Sequence, residues 1–525
     1  MSVGKHSHSL GTGTFCMPCL GLMLFNMFFI PFDPLPFVRS QFSDQLSPAL
    51  PGPHAVMSSS IYSRGDEFHE NAGSRNCING VTHFLDGSYI YGSHEHKEKE
   101  LIARTNGEMR MWYKFKYRKP LLPQTTKESH ECLPLEEHHK CFNGGDVRAN
   151  EQPTLLVLHT IGTRYHNSVA KALRAYNPHW DDQKTYEEAR RIVVAVFQHI
   201  VYKEFLPIIL GWETIHRYGL GLETAGYYYG YNPSENSNIL IGFMTAAFRF
   251  GHTLLPDHLD LYNSYHNRIG SVKLVDQLNQ PWLLMEEKNF DRFVLGMINQ
   301  KTSKYDASVI DEVRGTLFKK PNETLGHDLV TLNIQRGRDH GLQSYTRYRD
   351  WCGLRPVHSW YDLHGLMPNH TISAFKSLYK YVDDIELFSA GISEFNLPNS
   401  VLGETFACII ARQFKALRDG DRFWYENAGQ PSSFTPDQLY EIRQMSFARI
   451  MCDETDDVVT IQRNVFLQPD PFSNPRIPCA NYIALPKLNF APWKELPGDI
   501  PVASATGYYS PPPVVAYDLR HVIHP

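Results

Sequence analysis

The feature that most constrains the fold is the helical periodicity of residues 186–201, which read YEEARRIVVAVFQHIV. Apolar residues recur there at intervals of three and four, namely Ala189, Ile192, Val193, Val196, Phe197, Ile200 and Val201. This spacing places them on one face of an amphipathic α-helix that packs against a core. Thr185 and Glu188 have the spacing of a capping box, so we expect the helix to begin there.

Other helical patterns are spread along the chain, whereas the alternation typical of strands is scarce. They cover residues 155–173, 242–255, 401–417 and 436–451. The sequence therefore predicts a mainly α-helical protein. Of its 525 residues 42% are hydrophobic and 20% charged, as in an ordinary globular chain with ample core. The net charge of -5 gives no indication of nucleic-acid binding.

Residues 246–256 read AAFRFGHTLLP and place one cation, Arg249, and one imidazole, His252, in apolar surroundings. Residues three apart lie on the same face of a helix, so both side chains should point the same way. An arginine and a histidine aimed into an apolar slot suit a large planar ligand with a metal centre and acidic edges, such as haem. The alternative is an ordinary core or surface histidine, which is the commoner case beside aromatic residues.

Residues 79–93 read NGVTHFLDGSYIYGS and bring three oxygen-bearing side chains together around Phe84. These are Thr82, Asp86 and Ser88. Calcium prefers clustered carboxylate, hydroxyl and carbonyl oxygens on a tight loop. A network of turn or capping hydrogen bonds is the alternative interpretation.

Residues 141–154 read CFNGGDVRANEQPT and lead into the helical pattern of residues 155–173. Asn150 is a candidate N-cap for that helix, and Pro153 falls where the first turn tolerates proline. Arg148 and Glu151 lie three residues apart at this boundary. Taken alone, they indicate a surface ion pair beside a helix start.

Residues 332–342 read LNIQRGRDHGL and contain an amide and two arginines. Asn333 is able to hydrogen-bond a buried histidine and fix its tautomer, as metal-bound histidines usually require. Arg336 and Arg338 are suited to meeting carboxylates. The alternative for this stretch is a solvated basic turn.

Nine cysteines and two glycosylation sequons, at Asn322 and Asn369, favour disulfides and secretion. Cys16 and Cys19 have a metal-ligand spacing without a second half-site, so zinc is disfavoured. The apolar run 20–32 is too short and broken to form a stable membrane span. It is either a signal-peptide core or an irregular terminus. Residues 64–66, Arg-Gly-Asp, are a candidate integrin-type adhesion tripeptide.

Six separated motifs resemble, in the same order, those of the animal haem peroxidases, the family that includes myeloperoxidase, peroxidasin and insect chorion peroxidase. They read FVRS, THFLDGSYIYGS, GDVRANEQP, AFRFGHT, NIQRGRDHGL and LRDGDRFWYEN. The resemblance implies a single large helical domain with disulfides and long connecting loops, over residues 35–510. Residues 1–34 would be an irregular or signal-like terminus, and residues 511–525 a proline-rich tail. It also implies haem b, Ca²⁺, hydrogen peroxide and a phenolic, tyrosyl or halide electron donor.

The resemblance implies a role for each residue around the haem. His252 would be the proximal iron ligand and Asn333 the partner of its other ring nitrogen. Arg249 and Arg336 would meet the haem propionates. Arg148 would lie on the distal side and polarise bound peroxide.

The same resemblance implies further covalent and metal contacts. Glu151 would form an ester to a haem methyl, whereas Gln152 replaces a methionine, so that a sulfonium link should be absent. Calcium would be held by oxygens of Thr82, Phe84 (through its carbonyl), Asp86 and Ser88. The implied disulfides are Cys132–Cys141, Cys352–Cys408 and Cys452–Cys479, which leave Cys16, Cys19 and Cys77 without an assigned partner.

One departure from the family concerns the distal motif GQxxDHD, which lies upstream of FVRS in the family and is absent from the 36 residues before Phe37. That motif supplies the base that accepts the peroxide proton. Without it, we expect reaction with peroxide to slow by roughly a hundredfold to ten-thousandfold. Three interpretations stay open: an incomplete chain of a working peroxidase, a variant that carries haem without turnover, and an adhesion or scaffold protein on the same fold.

Overall fold

The computed structural model describes residue 79 and residues 81–125, 132, 139–319 and 324–496. Several predictions from the sequence fall outside these residues. They concern residues 1–34, the Arg-Gly-Asp tripeptide, the FVRS motif, residues 511–525, and Cys16, Cys19, Cys77 and Asn322.

Helices dominate the described residues. The α-helices are α1 Ser88–Tyr91, α2 Glu95–Leu101, α3 Pro153–Tyr176, α4 Asp182–Ile200, α5 Leu206–Arg217, α6 Ile241–Thr245, α7 Asn289–Asn299, α8 Leu329–Asp339, α9 Tyr345–Trp351, α10 Asn369–Leu378, α11 Leu387–Gly391, α12 Glu404–Asp419, α13 Pro436–Gln444 and α14 Phe447–Glu454. The prediction of a mainly α-helical protein is confirmed.

Strands are short and form only two-stranded antiparallel pairs among the described residues. The strands are β1 Gln124–Thr125, β2 Cys141–Phe142, β3 His258–Tyr262, β4 Arg268–Lys273, β5 Arg314–Leu317, β6 His327–Asp328, β7 Thr460–Gln462 and β8 Arg476–Pro478. They pair as β1–β2, β3–β4, β5–β6 and β7–β8, each pair joining two successive strands of the chain.

Helix α3 is the centre of the core. It packs against α4, α7 and α14, and its side chains are buried over most of its length. The predicted helix at residues 155–173 is therefore confirmed, with Pro153 in the first turn as expected. The expectation that Asn150 caps this helix is wrong. The Asn150 amide is engaged with the backbone N–H and C=O of Phe142, and Gln152 accepts from the N–H of Thr154 instead.

Helix α4 contains the apolar stripe predicted from residues 186–201, but it begins one turn earlier. Asp181 is its N-cap and accepts from the N–H of Lys184 at 2.7 Å. The Thr185 hydroxyl donates to the Asp181 carbonyl. The predicted capping box of Thr185 and Glu188 is therefore wrong, because an aspartate outside the apolar pattern provides the cap.

Helix α4 continues through a π-helical turn, Val201–Phe205, into α5. The whole stretch Asp182–Arg217 is long and apolar enough to cross a membrane, but 83% of its apolar window is buried inside the protein.

Two other predicted helices are divided. The pattern at residues 436–451 is broken between α13 and α14, where Ser446 caps the second helix. The single helix predicted at residues 242–255 is in fact two elements, the short helix α6 and a 3₁₀-helix, Ala247–Leu254. All three disulfides implied by the family resemblance are present: Cys132–Cys141, Cys352–Cys408 and Cys452–Cys479.

Candidate functional site

The 3₁₀-helix Ala247–Leu254 carries His252 and Arg249 into the protein interior. His252 is 1% exposed and Arg249 4% exposed. Phe248 and Phe250 are buried on the same segment and pack edge to face against each other. Large aromatic side chains fix the segment in the core, so the two polar side chains have little freedom to move.

Asn333, on α8, joins these two polar side chains. Its Nδ2 lies 2.8 Å from Nδ1 of His252, and its Oδ1 accepts from a guanidinium nitrogen of Arg249 at 2.8 Å. The Arg249 Nε also donates to the carbonyl of Met244 at 3.0 Å. The structure thus brings together three residues that are up to 84 positions apart in the sequence.

Electrostatics keep this histidine neutral. Burial lowers the pKa of His252 well below its usual value, and the nearby charge of Arg249 lowers it further. Burial also lowers the pKa of Arg249 to about 9, with a further contribution from Arg336. A neutral imidazole is the form that binds metals, so the environment of His252 suits a metal ligand.

Arg336 lies one helical turn beyond Asn333 on α8 and is half-buried. Its charge acts on the same buried arginine, which places two guanidinium groups near one histidine. Like charges in a buried region repel, and an acidic ligand relieves that repulsion. This donor set therefore fits the acidic edge of a planar cofactor. Arg338, by contrast, pairs with Glu386 at the surface.

The second predicted region is the 3₁₀-helix Val147–Asn150. The hydrogen bonds of Asn150 to Phe142 tie it to β2, where Cys141 carries a disulfide. Arg148 is 4% exposed, so it is not the surface residue that the local pattern indicates. Asp146 accepts from the Arg148 backbone N–H at 2.9 Å and from its Nε at 2.7 Å.

Asp146 is thus a site residue that the sequence reasoning did not identify. It is the N-cap of the 3₁₀-helix, and its second carboxylate oxygen accepts from another guanidinium nitrogen of Arg148. Burial alone would raise the pKa of Asp146, but the charge and hydrogen bonds of Arg148 outweigh it and lower that pKa overall. The signal available in the sequence was an aspartate two residues before the arginine.

Glu151 and Gln152 occupy the turn between the 3₁₀-helix and α3. Glu151 is half-buried, and its backbone carbonyl accepts from the N–H of Asn279 at 2.8 Å. Asn279 has a φ of 58°, in the left-handed region that asparagine tolerates. The Gln152 side chain caps α3, because its Oε1 accepts from the backbone N–H and the hydroxyl of Thr154. The turn that carries Glu151 is therefore fixed by two sets of hydrogen bonds, one to Asn279 and one between Gln152 and Thr154.

The predicted calcium residues also come together, in the loop before α1. The Thr82 hydroxyl donates to Asp86 Oδ1 at 2.9 Å, and the Ser88 N–H donates to the same oxygen at 3.0 Å. Phe84 lies half-buried between them in sequence. Only one of these residues is a carboxylate, and the described residues contain no group of three His, Cys, Asp or Glu side chains able to hold a metal.

A cavity of about 600 Å³ lies elsewhere, between β3 and residues 300–312. Its lining includes Asp257, His258, Asp260, Asp311 and Glu312, and none of the predicted site residues.

Comparison with known proteins shows which family the chain belongs to. The family model described as animal haem peroxidase matches residues 37–466. The peroxidase of Drosophila melanogaster is 35% identical over 415 residues, covering 79% of this chain and 59% of that protein. The human peroxidasin homolog is 39% identical over 401 residues, covering 75% and 26% respectively. The chain therefore spans less than two thirds of these relatives.

Solved structures give the same picture of the fold. Peroxidase A from Dictyostelium discoideum superposes with a TM-score of 0.63 at 29% identity, covering 74% of this chain and 72% of that one. The fatty acid alpha-dioxygenase of Arabidopsis thaliana superposes with a TM-score of 0.62 at 17% identity, covering 92% and 78%. At that identity the second likeness concerns the fold alone.

Proposed function

Because this chain belongs to the animal haem peroxidase family, we propose that it binds haem b through His252 and reduces hydrogen peroxide while oxidising a phenolic, tyrosyl or halide donor. The observation that carries the proposal is the buried array of His252, Asn333 and Arg249. When bound, haem supplies the redox chemistry with peroxide, and the protein supplies binding, orientation and electrostatics.

In this proposal Asn333 sets the tautomer of His252. Iron ligation through Nε2 requires the proton on Nδ1, and that proton needs an acceptor, which is the amide oxygen of Asn333. In the structure that oxygen faces Arg249. Arg249 and Arg336 would meet the acidic propionates of the haem, and Asn333 would present its amide oxygen to His252.

Arg148 has the distal role. Its guanidinium is buried and held at two nitrogens by Asp146, which fixes its plane. A fixed buried cation stabilises the negative charge that develops on oxygen as peroxide is cleaved. We further propose that Glu151, on its doubly held turn, forms an ester to haem. Mass spectrometry of the haem-loaded protein tests this: Glu151→Gln should release all haem on denaturation, and equal release from both proteins contradicts the ester.

The ligand role of His252 is tested by titrating the purified chain with haemin. His252→Ala should abolish the absorption band of ligated haem. The matched control is His166→Ala, which removes another fully buried histidine, one that hydrogen-bonds Tyr91 and the Gly107 carbonyl. That control should keep the band if it folds, as judged by circular dichroism. An unchanged spectrum in a folded His252→Ala protein contradicts the proposal.

Turnover is tested separately on the loaded protein. Oxidation of a phenol that requires peroxide supports a peroxidase, and Arg148→Gln should slow it by about a hundredfold or more. Haem binding without such oxidation indicates haem carriage instead. Adhesion through the Arg-Gly-Asp tripeptide stays a prediction, since that segment lies outside the described residues.

We propose in addition that the loop of Thr82, Asp86 and Ser88 binds Ca²⁺, together with the Phe84 carbonyl. The loop already gathers hydroxyl and carboxylate oxygens around Asp86, and a cation bound by both oxygens would replace the hydrogen bond between Thr82 and Asp86. Metal analysis and thermal unfolding with and without a chelator test this. The chelator should lower the melting temperature of the native protein and leave Asp86→Ala unaffected, and an equal effect on both contradicts it.

We propose that the protein is secreted and glycosylated at Asn369. Its three disulfides form where thiols are oxidised, and Asn369 is exposed at the first residue of α10. Digestion of protein from extracellular fluid with an N-glycosidase should lower the mass of the native chain by one glycan more than that of Asn369→Gln. Equal mass changes contradict glycosylation at this residue.

A further inference from the structure

A second surface with ligand-binding character lies on residues 102–121, which we call the basic hairpin. Two antiparallel bridges, Ile102–Met109 and Trp112–Leu121, close two successive turns within it. The backbone N–H of Trp112 donates to Leu121 at 2.7 Å, and the reverse bond measures 3.0 Å. Trp112 also packs on Phe142 of β2, with 6.3 Å between ring centroids. The hairpin is thus anchored to the body of the protein.

The basic hairpin carries a charge opposite to that of the chain. The whole protein has a net charge of -5, yet the hairpin contains a single carboxylate, that of Glu108. Its six cations are Arg104, Arg110, Lys114, Lys116, Arg118 and Lys119. Such a local excess creates an attractive potential for anions at one face of an otherwise acidic protein.

The cations at the base of the hairpin are neutralised by the protein. Arg118 pairs with Asp457 at 2.8 Å and lies 3.5 Å from Asp291. Lys119 donates to the Thr455 carbonyl and lies 3.7 Å from Asp456. These two residues fasten the hairpin to α7 and to the end of α14, and they are not available to a ligand.

The remaining cations make no ion pair with a carboxylate in the described part of the chain. Aromatic rings hold two of them instead. Lys114 Nζ lies 5.2 Å from the Trp112 ring centroid and 5.4 Å from that of Phe115, and Lys116 Nζ lies 5.2 Å from that of Tyr117. A ring positions an ammonium group without neutralising its charge. Both ammonium groups therefore lie beside aromatic rings, and the charge of Glu286 also acts on Lys114 from beyond ion-pair distance.

The aromatic residues of the basic hairpin differ in their exposure to solvent. Trp112 and Phe115 pack against the core, whereas Tyr113 is 70% exposed and Tyr117 is 85% exposed. The exposed residues of the hairpin therefore include two phenol rings as well as lysine side chains. Flat rings stack on the apolar faces of planar or ring-shaped ligands, and ammonium groups bind anions.

We propose that the basic hairpin is a binding surface for a sulfated polysaccharide. A membrane is the poorer match, because the residues that would enter lipid, Trp112 and Phe115, are already packed against the core. A nucleic acid is the poorer match because the disulfides indicate an oxidising, extracellular setting. This choice of polyanion rests on the proposed secretion but not on the proposed peroxidase activity, since no site residue lies on the hairpin.

The test uses the full chain and a fluorescein-labelled heparin octasaccharide, with binding measured by fluorescence anisotropy at physiological ionic strength. Lys114→Gln/Lys116→Gln should weaken binding by about tenfold or more, because each surface lysine near a polyanion contributes about 1 kcal/mol. Raising the salt concentration should weaken octasaccharide binding by the native protein more steeply than binding by the variant. Tyr113→Ala should also weaken binding, while Tyr113→Phe should not.

The matched control is Lys376→Gln/Lys380→Gln on and after α10. It removes the same charge from exposed lysines, and Lys380 also lies over an exposed ring, that of Tyr381, at 5.0 Å. This control should bind as the native chain does. Equal weakening in both double variants overturns the proposal, as does equal binding of a desulfated octasaccharide. Tighter binding to anionic vesicles or to a single-stranded oligonucleotide also overturns it.

Discussion

Replacing Asp146 with asparagine isolates the ion pair that holds Arg148. Asparagine caps helices about as well as aspartate, so Asp146→Asn keeps the cap of the 3₁₀-helix and removes the charge. The Arg148 guanidinium, with 5% of its side chain exposed, then stays buried beside a neutral amide in place of the Asp146 carboxylate. Removing one partner of a buried ion pair costs about 3–5 kcal/mol in the free energy of unfolding.

The corresponding shift in melting temperature follows from chain length. Unfolding entropy is about 2.1 cal/mol/K per residue, or about 1.1 kcal/mol/K for a chain of 525 residues. Dividing the energy by this entropy gives a fall of about 3–5 °C, measurable by calorimetry. The control is Asp181→Asn, the same substitution at the N-cap of α4, where the carboxylate accepts from the Lys184 N–H and its side chain makes no ion pair in the described part of the chain. Its melting temperature should change by less than about 1 °C.

Two further measurements sharpen this test. Because the folded pKa of Asp146 lies below its ordinary value of 3.8, its contribution is complete above that pH and is lost as the pH falls through the folded pKa. The native chain and Asp146→Asn should therefore converge in stability in strong acid. The double variant Asp146→Asn/Arg148→Met should be more stable than Asp146→Asn alone, because it leaves no buried charge. Equal melting temperatures of Asp146→Asn and Asp181→Asn would refute the reasoning.

Two other predictions concern the stability of the scaffold. Burial raises the pKa of Glu204, in the π-helical turn, to about 8, so the folded protein binds a proton there that the unfolded chain releases above pH 4.5. Stability should therefore fall as the pH rises from 4.5 to about 8, and Glu204→Gln should remove that part of the pH dependence; parallel pH profiles of the two proteins contradict this. Opening the Cys352–Cys408 disulfide, which closes a loop of 56 residues, should cost about 4 kcal/mol against about 3 for Cys132–Cys141 with its separation of 9. Calorimetry of two variants, each with both cysteines of one disulfide replaced by serine, tests this. A larger loss of unfolding free energy for the shorter loop contradicts the loop-entropy argument.

Local pattern predicted the helices well and their ends poorly. The apolar stripe of α4 depends only on spacing, which is visible in the sequence. Its first residue depends on whether Asp181 or Thr185 accepts from the free N–H groups, and both residue types make good caps. The segment of His252 was predicted to be a buried helix that carries two polar side chains, but it was not predicted to be a 3₁₀-helix. A change from 3.6 to 3 residues per turn leaves residues three apart on one face, so the pattern does not distinguish the two.

The array of His252, Asn333 and Arg249 joins α8 to the 3₁₀-helix, and no local pattern predicts contacts across that distance. The resemblance to the family predicted that His252 and Asn333 are partners, because matching two separated motifs to the family relates residues that are far apart in the sequence. It did not supply the contact between Arg249 and Asn333, since the family role places that arginine on the cofactor. The Asn333 amide oxygen accepts from the buried Arg249 guanidinium, because a buried polar group needs a hydrogen-bond partner.

The partner of Arg148 was missed for a reason that applies to other helix starts. Residues two apart do not face each other on a helix, so spacing favoured Glu151 over Asp146. Asp146, however, precedes the helix and has extended backbone angles, φ -111° and ψ 141°, which turn its side chain back over the first turn. There a single carboxylate caps the backbone N–H of Arg148 and pairs with its guanidinium. An aspartate followed two residues later by arginine at a helix start therefore predicts a combined cap and ion pair, which a rule based on helix faces excludes.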